Sequence, residues 1–498
     1  MRVSDLVALA VAVPIVGSLA ALVAGVARSE SGWPVAVVAC AVQLAVAAQL
    51  AVTAFTDGSI RYVVGGFEAP YGIELLVDGL SATMIVLIAV VSLGVLAYSR
   101  RAGPRSNPFY AVYMLLVTGL TGMSVTADLF NMYVFLEITG LAAYALVASG
   151  ERGRSAVAAL KYLLVGTVGA SLFLLGIGYA YIDTGTLNMA DLGDKLAGAD
   201  PTLVHAAFAF IVVGLFIKVA VFPLHTWQPD AYAGAPDSVS AYISALVSTV
   251  AAYALLRVVY TVFGAAFLAN NELANAILVG GATVSIVVGS LLAISQAEVK
   301  RMLAYSSVSQ FGLVVAAISI GNVTALMGAA IHLVGHAIMK GGLFLTAGLV
   351  ATETGARNVE EFDGLVQRSP LGAGAFAALA IAMVGIPPTV GFAGKWYIAI
   401  GAAESGSWAL LAVIVGSTLL TLAYFARLVE RMFFREPSVD LEPAIERVDA
   451  RTDGGEPVGA SFGMRATVVA AVVAAVVLGF AVFGYADQLR PTIEVLLS

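Results

Sequence analysis

The sequence predicts an all-α polytopic membrane protein of about fourteen transmembrane helices. Three observations predict it. Of 498 residues, 60% are hydrophobic and 11% charged, and mean hydropathy is +0.95. Soluble domains average roughly 45–50% apolar and about 25% charged residues. The apolar residues also run continuously for stretches near the length of about 20 that a helix needs to cross a bilayer. A transmembrane β-barrel would alternate apolar and polar residues instead. Finally, the single cysteine, Cys40, excludes a disulfide scaffold, and a formal charge of −7 argues against nucleic-acid binding.

The predicted spans follow in order. The first two cover 5–27 and 33–55. Asp5 near the start and the weak cleavage pattern VAGVARSE make the first a retained helix rather than a cleaved leader. The third covers 75–99 and completes an N-terminal unit, 1–107. Spans four to eight, at 108–126, 129–149, 155–182, 203–224 and 237–262, form a unit over 108–262. Spans nine to thirteen, at 274–296, 302–320, 323–351, 371–402 and 406–433, form another over 274–433. A polar connector, 434–463, leads to a final span at 464–485 within 464–498.

Loops leaving odd-numbered spans, with their flanks, hold 15 Lys and Arg residues, whereas the opposite side holds 4. The positive-inside rule then puts the first set in the cytoplasm and both termini outside. Arg outnumbers Lys 19 to 6, and the connector is acidic, which suits the cell membrane of a GC-rich or halophilic prokaryote.

Six basic residues lie within spans: Lys161, Lys218, Arg257, Lys340, Lys395 and Arg427. A charge at the bilayer centre costs about 2.5–3.5 kcal/mol on insertion scales. Arg257 and Arg427 stand near span ends, from which long side chains snorkel to the interface. Lys161 stands two turns into the sixth span, where snorkelling and a cytoplasmic proton uptake path are equally open. Lys218, Lys340 and Lys395 lie deeper. Buried lysines lose protons readily, so these three are candidate proton carriers. Salt bridging does not account for them, because Glu137 in the fifth span is the only acid deep in a span. Lys218 is the natural partner of Glu137.

The eleventh span reads IHLVGHAIMKGGLFL, with His332, His336 and Lys340 four residues apart on one helical face. That register reads as a hydrated proton stripe. Histidines at i and i+4 also suit zinc, but with no carboxylate or cysteine cluster beside them no metal site is expected. His205 looks interfacial, and His225 is open between a structural and a proton-path role.

Two spans are interrupted by proline. Pro223 follows Lys218 by five residues, and Pro387 and Pro388 precede Lys395. Irregular backbone within a membrane survives only where it is buried or lines a cavity. Each interrupted span is the fourth of a five-span set. The odd offset makes the sets inverted repeats, as in many transporters.

The motifs FIKVAVFPLHTWQPDAYAGAPDSVSAYISAL, QAEVKRMLAYSSVSQFG, HAIMKGGLFLTAG and GIPPTVGFAGKW resemble the antiporter-like proton-translocating subunits of respiratory complex I. That family includes large subunits of Mrp-type sodium/proton antiporters and of membrane-bound hydrogenases. The resemblance covers about residues 70 to 430, and FEAPYGIELLVDGLSATMIVL looks most like the Mrp D-type subunit. It implies a proton relay through Glu137, Lys218, the His332/His336/Lys340 stripe and Lys395. A lysine at 395 resembles Mrp D-type and complex I N-type subunits rather than M-type. The short C-terminal end predicts no long lateral helix.

One departure stands out. Relatives often carry a lysine before the valine of a TKVGVYALLR run, where this chain reads STVAAYALLR with Thr249. Thr249 can order water but cannot hold a proton at neutral pH. The leading expectation is therefore a proton-conducting subunit of a Mrp-type sodium(cation)/proton antiporter, with other membrane subunits, protons and sodium as partners. It implies no cofactor and no catalytic chemistry of its own. The alternative is a proton-pumping subunit of a redox complex, either an NADH:quinone oxidoreductase or a hydrogenase. A membrane scaffold without transport leaves the row of buried lysines unexplained.

Overall fold

A computed structural model describes residues 2–150, 153–437 and 460–498. Most of the predicted connector, 434–463, lies outside the described residues.

Apolar helices dominate. The chain opens with α1 (Asp5–Ala27) and α2 (Gly32–Thr56), followed by a hairpin of β1 (Ile60–Val63) and β2 (Glu74–Val77). These strands pair antiparallel with Ile60 opposite Val77. The expected third span is corrected here, because residues 75–77 belong to β2 and α3 (Gly79–Ala102) begins after them. Asp78 accepts hydrogen bonds from the backbone of Leu80 and Ser81, and the Ser81 hydroxyl accepts from the backbone of Asp78. That reciprocal cap fixes the helix start.

Next come α4 (Asn107–Val125), α5 (Leu129–Ala148), α6 (Gly153–Thr184), a short α7 (Met189–Leu196) and α8 (Pro201–Val219). The chain breaks, forms α9 (Gln228–Gly234) and re-enters as α10 (Asp237–Arg257). A π turn at Val258–Phe263 and α11 (Gly264–Asn270) lead to α12 (Glu272–Ile294), α13 (Val299–Ile320) and α14 (Val323–Thr354). After α15 (Leu365–Arg368), the twelfth span is split into α16 (Pro370–Val384) and α17 (Val390–Glu404). The chain closes with α18 (Trp408–Phe434) and α19 (Phe462–Leu497). The last helix runs to Leu497, twelve residues past its expected end at 485.

Among the described residues, thirteen helices are long and apolar enough to cross a membrane. The two pieces of the split twelfth span, α16 and α17, are shorter, at 15 residues each. Helices α10, α13 and α14 sit inside the bundle, whereas α1, α18 and α19 expose most of their surface. Composition explains the sorting. α10 is rich in Ser and Ala and lets neighbours approach closely, while α19 is rich in Val and Ala and suits lipid.

An internal correspondence links the two five-span sets. An isolated antiparallel bridge joins Asp128 to Asn188, from just before the fifth span to just after the sixth. Another joins Glu298 to Asn358, from just before the tenth span to just after the eleventh.

Candidate proton path across the bundle

Lys218 is the penultimate residue of α8, at the break. Ala220 ends the helix in the left-handed region, at φ 67°. The broken turn frees polar backbone groups, and side chains take them up. The Trp227 indole N–H donates to the Ile217 carbonyl (2.8 Å), and the Phe222 N–H donates to Ser285 Oγ (2.8 Å). The Lys218 side chain is buried. Its Nζ lies 3.7 Å from Glu137 Oε1 and 3.3 Å from the Tyr144 hydroxyl, to which it donates. The expected Glu137–Lys218 juxtaposition is therefore present.

At the twelfth span, α16 ends at Gly385 with φ 94°, and Pro387 and Pro388 lie in the gap before α17. Lys395, one turn into α17, reaches back across the gap. Its Nζ donates to the carbonyls of Met383 (2.9 Å) and Val384 (3.0 Å). These are the last carbonyls of α16, where the helix dipole favours a cation. Lys218 thus faces a carboxylate and Lys395 a helix C-terminus.

The stripe on α14 lies between them. Lys340 is fully buried, and its Nζ donates to the Leu303 carbonyl (3.1 Å) and to the Ser306 hydroxyl on α13. The His332 and His336 rings are 6.3 Å apart and buried, and none of their four nitrogens has a hydrogen-bond partner among the described residues. His336 packs on Phe311 at 4.6 Å. A Cβ on Gly394 would stand 2.8 Å from His332 Cβ, so only glycine allows α17 to bring Lys395 this close to the stripe. Thr249 is fully buried in α10, and its hydroxyl has no hydrogen-bond partner among the described residues.

Other expected residues settle elsewhere. Arg257 does not snorkel: its guanidinium pairs with Asp78 and donates to the Tyr253 hydroxyl (2.9 Å). Lys161 pairs with Asp230 at 2.6 Å. Arg301 also pairs with Asp230, and Arg154 bonds Glu298 at 2.6 Å. This network ties α6, α9 and α13 together. His205 meets Asn271 at 2.5 Å on an exposed face. His225 packs between Phe222 and Tyr305 with Nδ1 unpartnered among the described residues. Arg427 donates to the Ile294 carbonyl (2.9 Å). Sequence reasoning overlooked a further ion cluster, in which Asp237 receives Lys300 (2.9 Å) and Arg357 (3.3 Å). The adjacent Lys300–Arg301 pair and the acids in QPDAYAGAPDS were its signal.

Among the described residues, thirteen candidate membrane spans surround a buried row of titratable groups beside two broken helices. Residues 126–421 match the family described as NADH:quinone oxidoreductase/Mrp antiporter, TM. The chain belongs to this family. Two curated relatives frame its range. The N-type subunit of the NADH-quinone oxidoreductase of Desulforudis audaxviator is 48% identical over 406 residues, covering 80% of each chain. The D-type subunit of the Na(+)/H(+) antiporter of Alkalihalophilus pseudofirmus is 31% identical over 510 residues, covering 99% of each. Among solved structures, a chain of the archaeal membrane-bound sulfane sulfur reductase superposes with TM-score 0.89. It is 30% identical, with 99% of this chain and 98% of that chain covered. The NADH:quinone oxidoreductase/Mrp antiporter family is thus matched at the level of both motif and architecture, and the chain is a multi-pass membrane protein.

Proposed function

We propose that this chain carries protons as a membrane subunit of a multisubunit Mrp-type cation/proton antiporter. The observation that carries the relay reading is the ion pair of Glu137 and Lys218 at the head of a buried row holding Lys340 and Lys395. Carboxylates are absent from the rest of that row among the described residues. A proton entering near Glu137 changes the charge facing Lys218. Lys218 then passes its proton toward Thr249 and the His332/His336/Lys340 stripe, and Lys395 releases it to the other aqueous side. Lys161, paired with Asp230, stands at the uptake end. The inverted units 108–262 and 274–433 each contribute one half-path around the breaks at Pro223 and at Pro387 and Pro388. In the cell membrane, both termini face outward. Near-complete coverage of the D-type antiporter relative supports the antiporter assignment.

A second reading rests on the higher identity, 48%, to the N-type subunit of an NADH-quinone oxidoreductase. In it the same path pumps protons on behalf of a redox complex. The deciding experiment isolates the assembly around a tagged chain and reconstitutes it in sealed vesicles with an internal pH dye. Sodium-driven proton movement, with only membrane subunits co-purifying, establishes the antiporter. Proton movement driven only by oxidation of a reduced electron donor, with redox subunits co-purifying, establishes the second reading.

A further inference from the structure

The row contains one step without a charged group. Lys218 is on α8 and Lys340 on α14, and α10 passes between with Thr249 where relatives often carry lysine. Three neutral side chains gather there. Gln228, Tyr232 and Ser248 are each fully buried. The Gln228 amide donates to the Tyr232 hydroxyl (3.1 Å) and to Ser248 Oγ (3.3 Å), and the two hydroxyls are 3.4 Å apart. Ser248 Oγ also donates to the main-chain carbonyl of Lys218 (3.4 Å). One end of this triangle therefore rests on the residue that carries the first buried ammonium.

The other end lies against α14. The Tyr232 ring meets Phe344, one turn after Lys340, at 5.6 Å. Close approaches fix the register of α10 on α14. A Cβ on Gly348 would stand 2.7 Å from Asp237 Cβ, and one on Gly341 would stand 3.2 Å from Ala245 Cβ. Advancing along α10 thus retreats along α14, which brings Ser248 and Thr249 level with the turn between His336 and Lys340.

Gln228 Oε1 in this triangle, and Thr249 Oγ1 on the residue after Ser248, are both buried without a partner among the described residues. A buried unpaired polar group costs about 1–3 kcal/mol, and water is the usual completion at such a site. Packing alone does not explain a glutamine here, since an apolar residue of similar volume would fill the space without that cost.

We propose that Gln228, Tyr232, Ser248 and Thr249 form a neutral, water-holding node that hands protons between Lys218 and the His336–Lys340 turn. This rests on the proton-relay reading above. Each hydroxyl accepts one proton and donates another, so a proton crosses the node with no side chain ending in a changed charge state. The Gln228 amide holds the hydroxyls in register and is a positioning residue.

The test uses the intact, reconstituted complex. Gln228→Leu removes the amide at similar volume, and Tyr232→Phe removes a single hydroxyl in case Gln228→Leu fails to assemble. Transport in the assembled variant should fall by about tenfold or more, as for loss of a positioned proton donor. The solvent deuterium isotope effect should rise, because proton transfer then limits the rate. Transport within about twofold of wild type, or a loss with an unchanged isotope effect, overturns the node. Lys218→Ala, run alongside, separates the two claims: if it transports normally, the relay reading itself fails, whatever Gln228→Leu does.

Discussion

Glu137 Oε1 stands 3.7 Å from Lys218 Nζ, at the outer edge of ion-pair range, while the same ammonium reaches the Tyr144 hydroxyl at 3.3 Å. Glu137 is about a quarter exposed and Lys218 nearly closed off. Of the two, the carboxylate lies nearer the surface of the chain and the ammonium deeper in the bundle. Such a pair changes state when either member gains or loses a proton.

That asymmetry gives the first prediction. Glu137→Gln and Lys218→Ala should each abolish transport in a complex that still assembles. Removing one member of a buried pair can cost about 3–5 kcal/mol, so assembly is measured first by co-purification. Wild-type transport rates in either assembled variant would remove the pair from the path.

Orientation is tested at the two ends of α2. Glu30 precedes it in an exposed loop that the basic asymmetry places inside, and Ser59 follows it in an exposed loop placed outside. Cys40 is buried and is replaced by alanine. In intact cells, a membrane-impermeant thiol reagent should label Ser59→Cys and spare Glu30→Cys. The opposite pattern reverses the topology.

The Asp78–Arg257 pair predicts a pH dependence of stability. Burial alone would raise the Asp78 carboxyl, but Arg257 and the donors of Ser81 more than offset it and hold it below the usual carboxylate range. A folded-state pKa below the unfolded one contributes stability above the unfolded value of about 3.9. That contribution is lost as pH falls through the lower, folded value. Asp78→Asn should therefore destabilise the detergent-solubilised protein by roughly 3–5 kcal/mol at neutral pH. The difference from wild type should shrink on acidification below about pH 4. Equal unfolding midpoints at neutral pH would show that the pair contributes nothing.

Charge within an apolar run is easily read, which is why Glu137, Lys218, Lys340 and Lys395 stand out in the sequence together with the proline breaks beside two of them. Their partners are harder to read. Arg257 finds Asp78 across 179 residues of chain, and no local pattern announces that pairing. Lys395 binds backbone carbonyls, which any residue supplies. Residues 75–77 read as part of a span because LLV is as apolar as the helix after it, and only the Asp78 cap separates the two. Gln228, Tyr232 and Ser248 are silent in the sequence because neutral side chains do not stand out by charge.

Lys395 provides the last prediction. Its ammonium spans the gap in the twelfth span to the Met383 and Val384 carbonyls, so it both closes the break and holds a proton there. Lys395→Met keeps the bulk but supplies no donor to either carbonyl and cannot titrate. Transport should fall by about a hundredfold or more. Lys395→Glu restores a titratable group but presents an acceptor to two acceptors whenever it is ionised; only its protonated form can donate across the gap. It should therefore retain a part of the rate, roughly a tenth, with a displaced pH optimum. The measurement is the initial rate of proton movement in reconstituted vesicles over a range of pH. If Lys395→Met matches wild type, the residue only braces the broken helix, and protons must leave the row at Lys340, whose contacts to Leu303 and Ser306 are the next to be cut.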